Sequence, residues 1–115
     1  MVYGAASFVG KILSHYLFQR HGQDGELRWA IAGRKQAKLD AVNTELGASL
    51  PTIIASADKR GELDAMVALT RVVVSTVGPY DLYGSDLVAA CVENGVDYCD
   101  LTGEAQWMRK MIDQH

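Results

Sequence analysis

The 115-residue sequence predicts a three-layer α/β fold, in which helices cover both faces of a five-stranded parallel sheet. Three observations support this prediction. Short apolar runs alternate strictly with segments of helical periodicity, which is the order of βαβ units. A glycine turn follows the first apolar run directly. The run at residues 71–77 is almost continuously apolar, as is typical of a strand buried on both faces of a parallel sheet.

The elements follow one another without linkers, repeats or low-complexity tracts. Strands are predicted at residues 1–3, 27–32, 51–55, 71–77 and 96–101, and helices at 8–21, 36–46, 58–69, 85–94 and 105–115. The first helix is predicted to bury Phe8, Val9, Ile12, Leu13, Tyr16 and Leu17 and to expose Lys11, Ser14, His15 and Gln19. The buried faces of the later helices are expected to hold Leu39, Val42, Leu46, Leu63, Met66, Val67, Leu87, Val88, Cys91 and Val92, with Trp107, Met108, Met111 and Ile112 partly buried on the last.

Right-handed crossovers and a turn directly after the first strand predict the strand order 3-2-1-4-5 of a Rossmann-type fold. In that order a ligand crevice forms at the carboxyl ends of strands one and four, where the strand order reverses. The glycine turn, Arg34, the loop after the third strand and the loop 78–80 all converge on this edge. Their convergence favours nucleotide binding.

The first ten residues predict a strand, a tight turn and a helix N-terminus suited to a dinucleotide pyrophosphate. The glycine spacing is G-x-x-G-x-x-G with Ser7 in the central place. Gly4 is expected to make the turn, and Gly10 to let the helix pack close to the sheet. Ser7 offers a hydroxyl to phosphate but narrows the backbone approach. The alternative is a purely structural turn; the candidate pyrophosphate-binding residues are Gly4, Ala5, Ala6, Ser7, Phe8, Val9 and Gly10.

The end of the second strand indicates the type of cofactor. NAD-binding domains usually carry a carboxylate there for the ribose 2′-hydroxyl, whereas an arginine accommodates a 2′-phosphate. This chain has Arg34 and Lys35 and no carboxylate. Arg34 can hold phosphate with two hydrogen bonds, and Lys35 adds a point charge. The pair predicts NADP over NAD, with a solvated basic helix start as the alternative.

Charge and composition argue against several other functions. The net charge is −3 with both signs scattered, so neither nucleic acid nor an anionic membrane is expected as a partner. The apolar runs are too short to span a bilayer. No signal peptide is recognisable, and Cys91 and Cys99 are expected to be buried free thiols in the cytoplasm. Because side chains alternate along a strand, Asp97 and Asp100 are expected on opposite faces of the sheet, and no metal site is predicted. Asp100 and Glu104 are expected to cap the last helix instead.

Four segments together resemble the saccharopine dehydrogenase-like oxidoreductases, which include the trans-acting enoyl reductases of lipid synthesis. The segments are Tyr3–Gly10, Trp29–Arg34, Thr76–Tyr80 and Asp97–Glu104. The resemblance covers the cofactor-domain portion of such a protein. It implies a Rossmann domain, NADP(H) and a C-terminal substrate domain outside this chain. The V-G-P-Y segment adds the candidate cofactor residues Val77, Gly78, Pro79 and Tyr80.

The chain departs from the family pattern in two places. Ala6 and Ser7 stand where the family commonly has Thr and Gly, which predicts a lower affinity for phosphate. Ser56 replaces the acidic residue that often follows the third strand and can bond adenine. Asp58 either takes over that contact or caps the third helix.

Residues 1–115 are therefore interpreted as one NAD(P)-binding Rossmann domain, a fragment of a longer oxidoreductase with a small-molecule substrate and enoyl reduction as one candidate activity. The alternative is a non-catalytic dinucleotide-sensing module. No catalytic residue is assigned, although Tyr80 is the one titratable hydroxyl placed near a nicotinamide, and no Lys follows it at the Tyr-x-x-x-Lys spacing. The fragment alone is expected to have no turnover and to self-associate through its C-terminal region.

Overall fold

The computed structural model describes all 115 residues and contains five strands and six helices. The strands are β1 (Val2–Tyr3), β2 (Ile31–Gly33), β3 (Thr52–Ile54), β4 (Val72–Ser75) and β5 (Asp97–Asp100). The helices are α1 (Phe8–His21), α2 (Gln36–Leu46), α3 (Arg60–Val67), α4 (Tyr80–Tyr83), α5 (Ser85–Asn94) and α6 (Ala105–Gln114). None of the helices is long and apolar enough to cross a membrane.

The five strands form one parallel sheet in the order β3-β2-β1-β4-β5, which confirms the predicted topology. Val2 of β1 is paired with Ile31 on one side and with Val74 on the other. The carboxyl end of β1 therefore lies between the ends of β2 and β4. This arrangement opens the crevice that the strand order predicts.

The core consists of one layer on each face of the sheet, and β1 contributes one side chain to each layer. Val2 packs with Ile31, Leu39 and Val42 beneath α1 and α2. Tyr3 packs in the opposite layer. Successive side chains of a strand point to opposite faces, so even a two-residue strand connects both layers. The opposite layer is completed by α3 and α5 through Leu63, Met66, Val67, Leu87, Ala90 and Cys91.

The predicted buried face of α1 is wrong in four of its six residues. Phe8 is 81% exposed, and Ser14, which was predicted to face water, is fully buried. Gly10 and Ser14 are one turn apart and lie against the sheet, so small residues occupy the line of closest approach. The larger residues flank that line: Leu13 and Leu17 pack against the core, while Phe8, Val9, Ile12 and Tyr16 are exposed.

Further differences from the predictions concern Val92, Cys99, residues 80–83 and the second strand, which begins at Ile31 and not at residue 27. Val92 is 49% exposed, although it was expected to be buried. Cys91 is buried as expected, and burial raises its pKa to about 11, whereas Cys99 on the edge strand β5 is exposed. Residues 80–83 form the short helix α4 where a loop was predicted.

The last helix is half buried, as predicted. Trp107 and Met111 pack against Tyr80 and Val88 in a third apolar cluster. Ile112 lies on the outer face of α6 and is 69% exposed, and Met108 beside it is exposed as well.

Candidate functional site

A cleft of about 430 Å³ opens at the carboxyl ends of β1, β2 and β4. The glycine turn forms its floor, the start of α2 forms one wall, and the segment after β4 forms the other. Of the predicted cofactor residues, eight line this cleft: Gly4, Ala6, Ser7, Arg34, Lys35, Asp58, Val77 and Gly78. The other six do not line it; these are Ala5, Phe8, Val9, Gly10, Pro79 and Tyr80.

Gly4 and Gly10 have the roles that their spacing predicts. Gly4 has φ +84°, a conformation that favours glycine, and a Cβ there would lie 2.7 Å from Thr76 Oγ1. A Cβ on Gly10 would lie 2.0 Å from the Gly4 carbonyl oxygen. The turn therefore packs too closely against the segment after β4 for a side chain at Gly4, and too closely against α1 for a side chain at Gly10.

Ser7 is the N-cap of α1. Its Oγ accepts a hydrogen bond from Gly10 N (3.0 Å) and donates one to Gly4 O (2.8 Å), so the hydroxyl is used within the turn. The backbone N–H groups of Phe8 and Val9 have no partner within the chain. Free amides at the start of a 14-residue helix form an anion-binding site. The backbone of Phe8 and Val9, not the Ser7 hydroxyl, is thus available to phosphate.

Three cations lie at the α2 side of the cleft: Arg34, Lys35 and Lys38. All three are exposed, and none forms an ion pair with a carboxylate, whereas Lys11 and Lys59 elsewhere on the surface do. Lys38 was not predicted, although its position three residues after Lys35 places both on one helix face. The cluster has the charge that an exposed phosphate monoester requires.

Asp58 does not cap α3, contrary to one of the two interpretations. The N-cap position is Lys59, without a side-chain hydrogen bond. Asp58 Oδ1 instead accepts a hydrogen bond from Ser56 Oγ at 2.5 Å, and this bond is the main reason why the pKa of Asp58 lies below its usual value. Both residues line the same cleft as Arg34, so the chain has a carboxylate acceptor there.

Tyr80 is not placed to act on a ligand in the cleft. Its ring is buried, its hydroxyl donates to Ser75 O (3.1 Å), and Leu101 N donates to it (3.4 Å). Burial raises the pKa of Tyr80. Tyr83, one turn later, lines the cleft instead, and so does Thr76. Tyr83 is absent from the predicted site because this segment was predicted as a loop, which gives its tyrosines no helical register.

Asp100, the last residue of β5, and Glu104 do not cap α6 with their side chains. The Glu104 carboxylate accepts hydrogen bonds from Tyr80 N (2.7 Å) and Asp81 N (3.1 Å), so it caps α4. These two bonds hold the pKa of Glu104 below its usual value. Asp100 accepts from Thr102 N (2.9 Å) and from the Tyr98 hydroxyl (2.6 Å). Their carboxylates therefore fix loops beside the cleft.

The residues of the cleft fit a phosphorylated dinucleotide. The glycine positions leave room for close approach, two free amides begin α1 directly after Ser7 at the floor of the cleft, and three cations without an ion-pair partner lie at one end. Residues 1–114 match the family model of the saccharopine dehydrogenase NADP-binding domain. The chain belongs to this family. The domain is accordingly an NADP-binding domain, as the sequence predicted.

Mycobacterial proteins are similar to this domain over nearly its full length. A Mycobacterium tuberculosis (strain H37Rv) protein provisionally named a trans-acting enoyl reductase is 48% identical over 98% of the chain. The trans-acting enoyl reductase of Mycobacterium leprae (strain TN) is 42% identical over the whole chain. The chain spans 27% and 28% of the lengths of these two relatives.

Two solved structures share the fold of this domain. The apo saccharopine dehydrogenase (L-Glu forming) of Saccharomyces cerevisiae aligns with a TM-score of 0.71 and 16% identity, over 96% of this chain and 24% of that one. The protein AtPrR2 in complex with NADP⁺ and (+)-pinoresinol aligns with a TM-score of 0.54 and 20% identity, over 84% of this chain and 34% of that one. The recognised resemblance and the predicted fold class are both confirmed.

Proposed function

We propose that this chain is the NADP(H)-binding domain of a saccharopine dehydrogenase-like oxidoreductase of the enoyl reductase type. The observation that carries the proposal is a cationic cluster in the cleft together with free helix amides that directly follow Ser7, which lines the same cleft. Arg34, Lys35 and Lys38 would hold the 2′-phosphate, and the amides of Phe8 and Val9 would hold the pyrophosphate. Relatives of the same family that are named as enoyl reductases support the reaction class.

Asp58 completes the adenosine end of the proposed site. Its carboxylate lies in the same cleft as Arg34, and a carboxylate accepts hydrogen bonds only. The exocyclic amine of adenine is a donor of the required kind. Ser56 stands where the family often has an acidic residue, and we therefore assign the adenine contact to the carboxylate of Asp58. The Ser56 hydroxyl orients that carboxylate through its hydrogen bond.

The domain supplies binding and orientation, whereas bound NADPH supplies the hydride. Both walls of the cleft are assigned to the cofactor, and the chain spans about a quarter of its relatives' length. We propose that the small-molecule substrate is bound by a further domain of the full-length protein, and that the 115-residue chain alone has no turnover. NADPH-dependent reduction of enoyl or imine substrates by the purified chain would contradict this.

Two further features support lesser proposals. The exposed α6 residues Met108 and Ile112 and the open edge of β5 support self-association through the C-terminal region. The free thiols Cys91 and Cys99 suit a reducing compartment, in accord with a cytoplasmic location.

Calorimetric titration of the chain with NADPH and NADH tests the cofactor assignment. We expect NADPH to bind more tightly than NADH. Arg34→Ala and Lys38→Ala should each lower the affinity for NADPH by about tenfold, because a charged hydrogen bond contributes roughly 1.5–3 kcal/mol, and should change the affinity for NADH by less than about twofold. Arg20→Ala, which removes an exposed cation at the far end of α1, is the matched control. Equal affinity of the wild-type chain for both cofactors would overturn the assignment.

A further inference from the structure

The start of α4 is held by a residue that is distant in sequence. Glu104 lies 24 residues after Tyr80, and its two carboxylate oxygens accept one hydrogen bond each from Tyr80 N and Asp81 N. The Thr102 hydroxyl lies 3.3 Å from the same carboxylate and accepts a hydrogen bond from Glu104 N (3.0 Å). Glu104 is thereby itself held in one orientation.

The far end of the same segment is held by α6. The rings of Trp107 and Tyr80 are 5.6 Å apart, and Trp107 Nε1 donates to Ser85 Oγ (3.0 Å). A Cβ on Gly84 would lie 2.8 Å from the Trp107 ring, so the two elements are in close contact there. The segment 77–85 is consequently fixed at its middle by Glu104 and at its end by Trp107.

This fixed segment forms the wall of the cleft on the β4 side. Val77, Gly78 and Tyr83 line the cleft, whereas the cationic cluster lines the opposite side, next to β2. A dinucleotide with its pyrophosphate on α1 and its 2′-phosphate on the cluster has only one direction left for its second nucleoside. The nicotinamide half must extend toward the wall that Glu104 holds.

We propose that Glu104 is a positioning residue for the nicotinamide half of NADP. Its carboxylate fixes the backbone of α4 and so sets where Val77, Gly78 and Tyr83 meet the cofactor. This inference rests on the proposed cofactor site. A wall held in place orders the nicotinamide ring without contacting the adenosine half. Loss of Glu104 should therefore weaken the binding of a ligand that carries nicotinamide more than that of a ligand that lacks it.

The test compares two ligands on the wild-type chain and on Glu104→Gln. NADPH carries both halves, whereas 2′,5′-ADP carries the 2′-phosphate and adenosine but no nicotinamide. We expect Glu104→Gln to weaken NADPH by about fivefold or more and 2′,5′-ADP by less than about twofold, since one of two charge-assisted hydrogen bonds is lost. The emission of NADPH at saturation should also shift toward that of the free cofactor.

Two further variants keep the experiment decisive. Glu93→Gln neutralises a carboxylate of α5 that is ion-paired with Arg60 on the outer surface. It should leave the affinity for both NADPH and 2′,5′-ADP unchanged. Thr102→Val removes the hydroxyl beside Glu104 and should weaken NADPH in the same selective way but less, even where Glu104→Gln folds poorly.

The outcomes separate the inference from the proposed function. Equal weakening of both ligands, or no change in either, overturns the role of Glu104 while the cofactor site stands. Failure of the wild-type chain to bind 2′,5′-ADP overturns the cofactor site itself, and the role of Glu104 with it.

Discussion

The Ser7 hydroxyl oxygen lies 3.1 Å from that of Thr76, and both reach the carbonyl oxygen of Gly4, at 2.8 and 2.9 Å. Ser7 belongs to the turn after β1, and Thr76 follows β4, 69 residues later. The two hydroxyls connect the neighbouring strands at the floor of the cleft. The turn is therefore held in one shape by bonds within the chain, and a turn fixed in this way lowers the ordering that binding requires.

Thr76→Val should destabilise the domain and weaken cofactor binding. The substitution keeps the branched shape but removes the hydroxyl that bonds the Gly4 carbonyl, and such a bond contributes about 1 kcal/mol. Urea unfolding followed by circular dichroism measures the stability, and titration with NADPH measures the binding. Thr44→Val is the control, because Thr44 bonds only a helix carbonyl on the exposed side of α2. An equal effect of both substitutions would refute a special role for Thr76.

Gly10→Ala and Gly61→Ala should act in opposite directions. A Cβ on Gly10 would clash with Gly4 O, so α1 must move off the strand, and we expect a loss of about 2 kcal/mol or more together with loss of NADPH binding. A Cβ on Gly61 meets nothing within 4 Å inside α3, so alanine there should stabilise by about 0.5–1 kcal/mol. Thermal unfolding of both variants provides the measurement. Normal stability of Gly10→Ala would be inconsistent with the close approach.

The sequence predicted the strand order and the glycine roles because both depend on local periodicity and on the fixed hand of the crossovers. The sequence-based predictions were wrong where a contact depends on two residues that are distant in sequence. Glu104 belongs by position to α6, yet it caps α4 because the carboxyl ends of β4 and β5 are neighbours. The buried face of α1 failed for a different reason: close packing at Gly10 turns Ser14, not the large apolar residues, toward the sheet.

The two buried serines should respond differently to alanine. Ser14 Oγ is buried without a hydrogen-bond partner, so Ser14→Ala should leave stability unchanged or raise it by up to about 1 kcal/mol. Ser75 Oγ accepts from Val77 N (3.3 Å), and Ser75→Ala should cost about 1–2 kcal/mol because that amide is left unpaired. Denaturant midpoints of the two variants decide the matter. A large loss for Ser14→Ala would mean that its hydroxyl has a partner such as bound water.

The contribution of Glu104 to stability should depend on pH. Its two backbone hydrogen bonds lower its pKa in the folded state, so its contribution is fully present above the unfolded value of about 4.3. That contribution is lost as the pH falls through the lowered folded-state pKa. The difference in unfolding free energy between the wild-type chain and Glu104→Gln should therefore narrow below about pH 4. A difference that stays constant from pH 7 to pH 3 would contradict the cap.

The C-terminal region should mediate self-association of the 115-residue chain. Met108 and Ile112 are one turn apart on the outer face of α6, and they are 44% and 69% exposed. β5 pairs only with β4, so its other edge presents unpaired N–H and C=O groups. A two-fold contact between copies would bury both features. We expect sedimentation velocity to show a dimer whose fraction rises with concentration.

Ile112→Lys should dissociate that dimer, because it places a charge in the proposed contact without touching the core. Ile12→Lys is the matched control: Ile12 is also an exposed isoleucine, but it lies on α1, far along the chain from the C-terminal region. The comparison distinguishes a specific contact from non-specific association through exposed apolar side chains, since α1 exposes Phe8 and Tyr16 as well. Dissociation by Ile12→Lys alone would move the interface to α1, and a monomer at several hundred micromolar would exclude self-association through either helix.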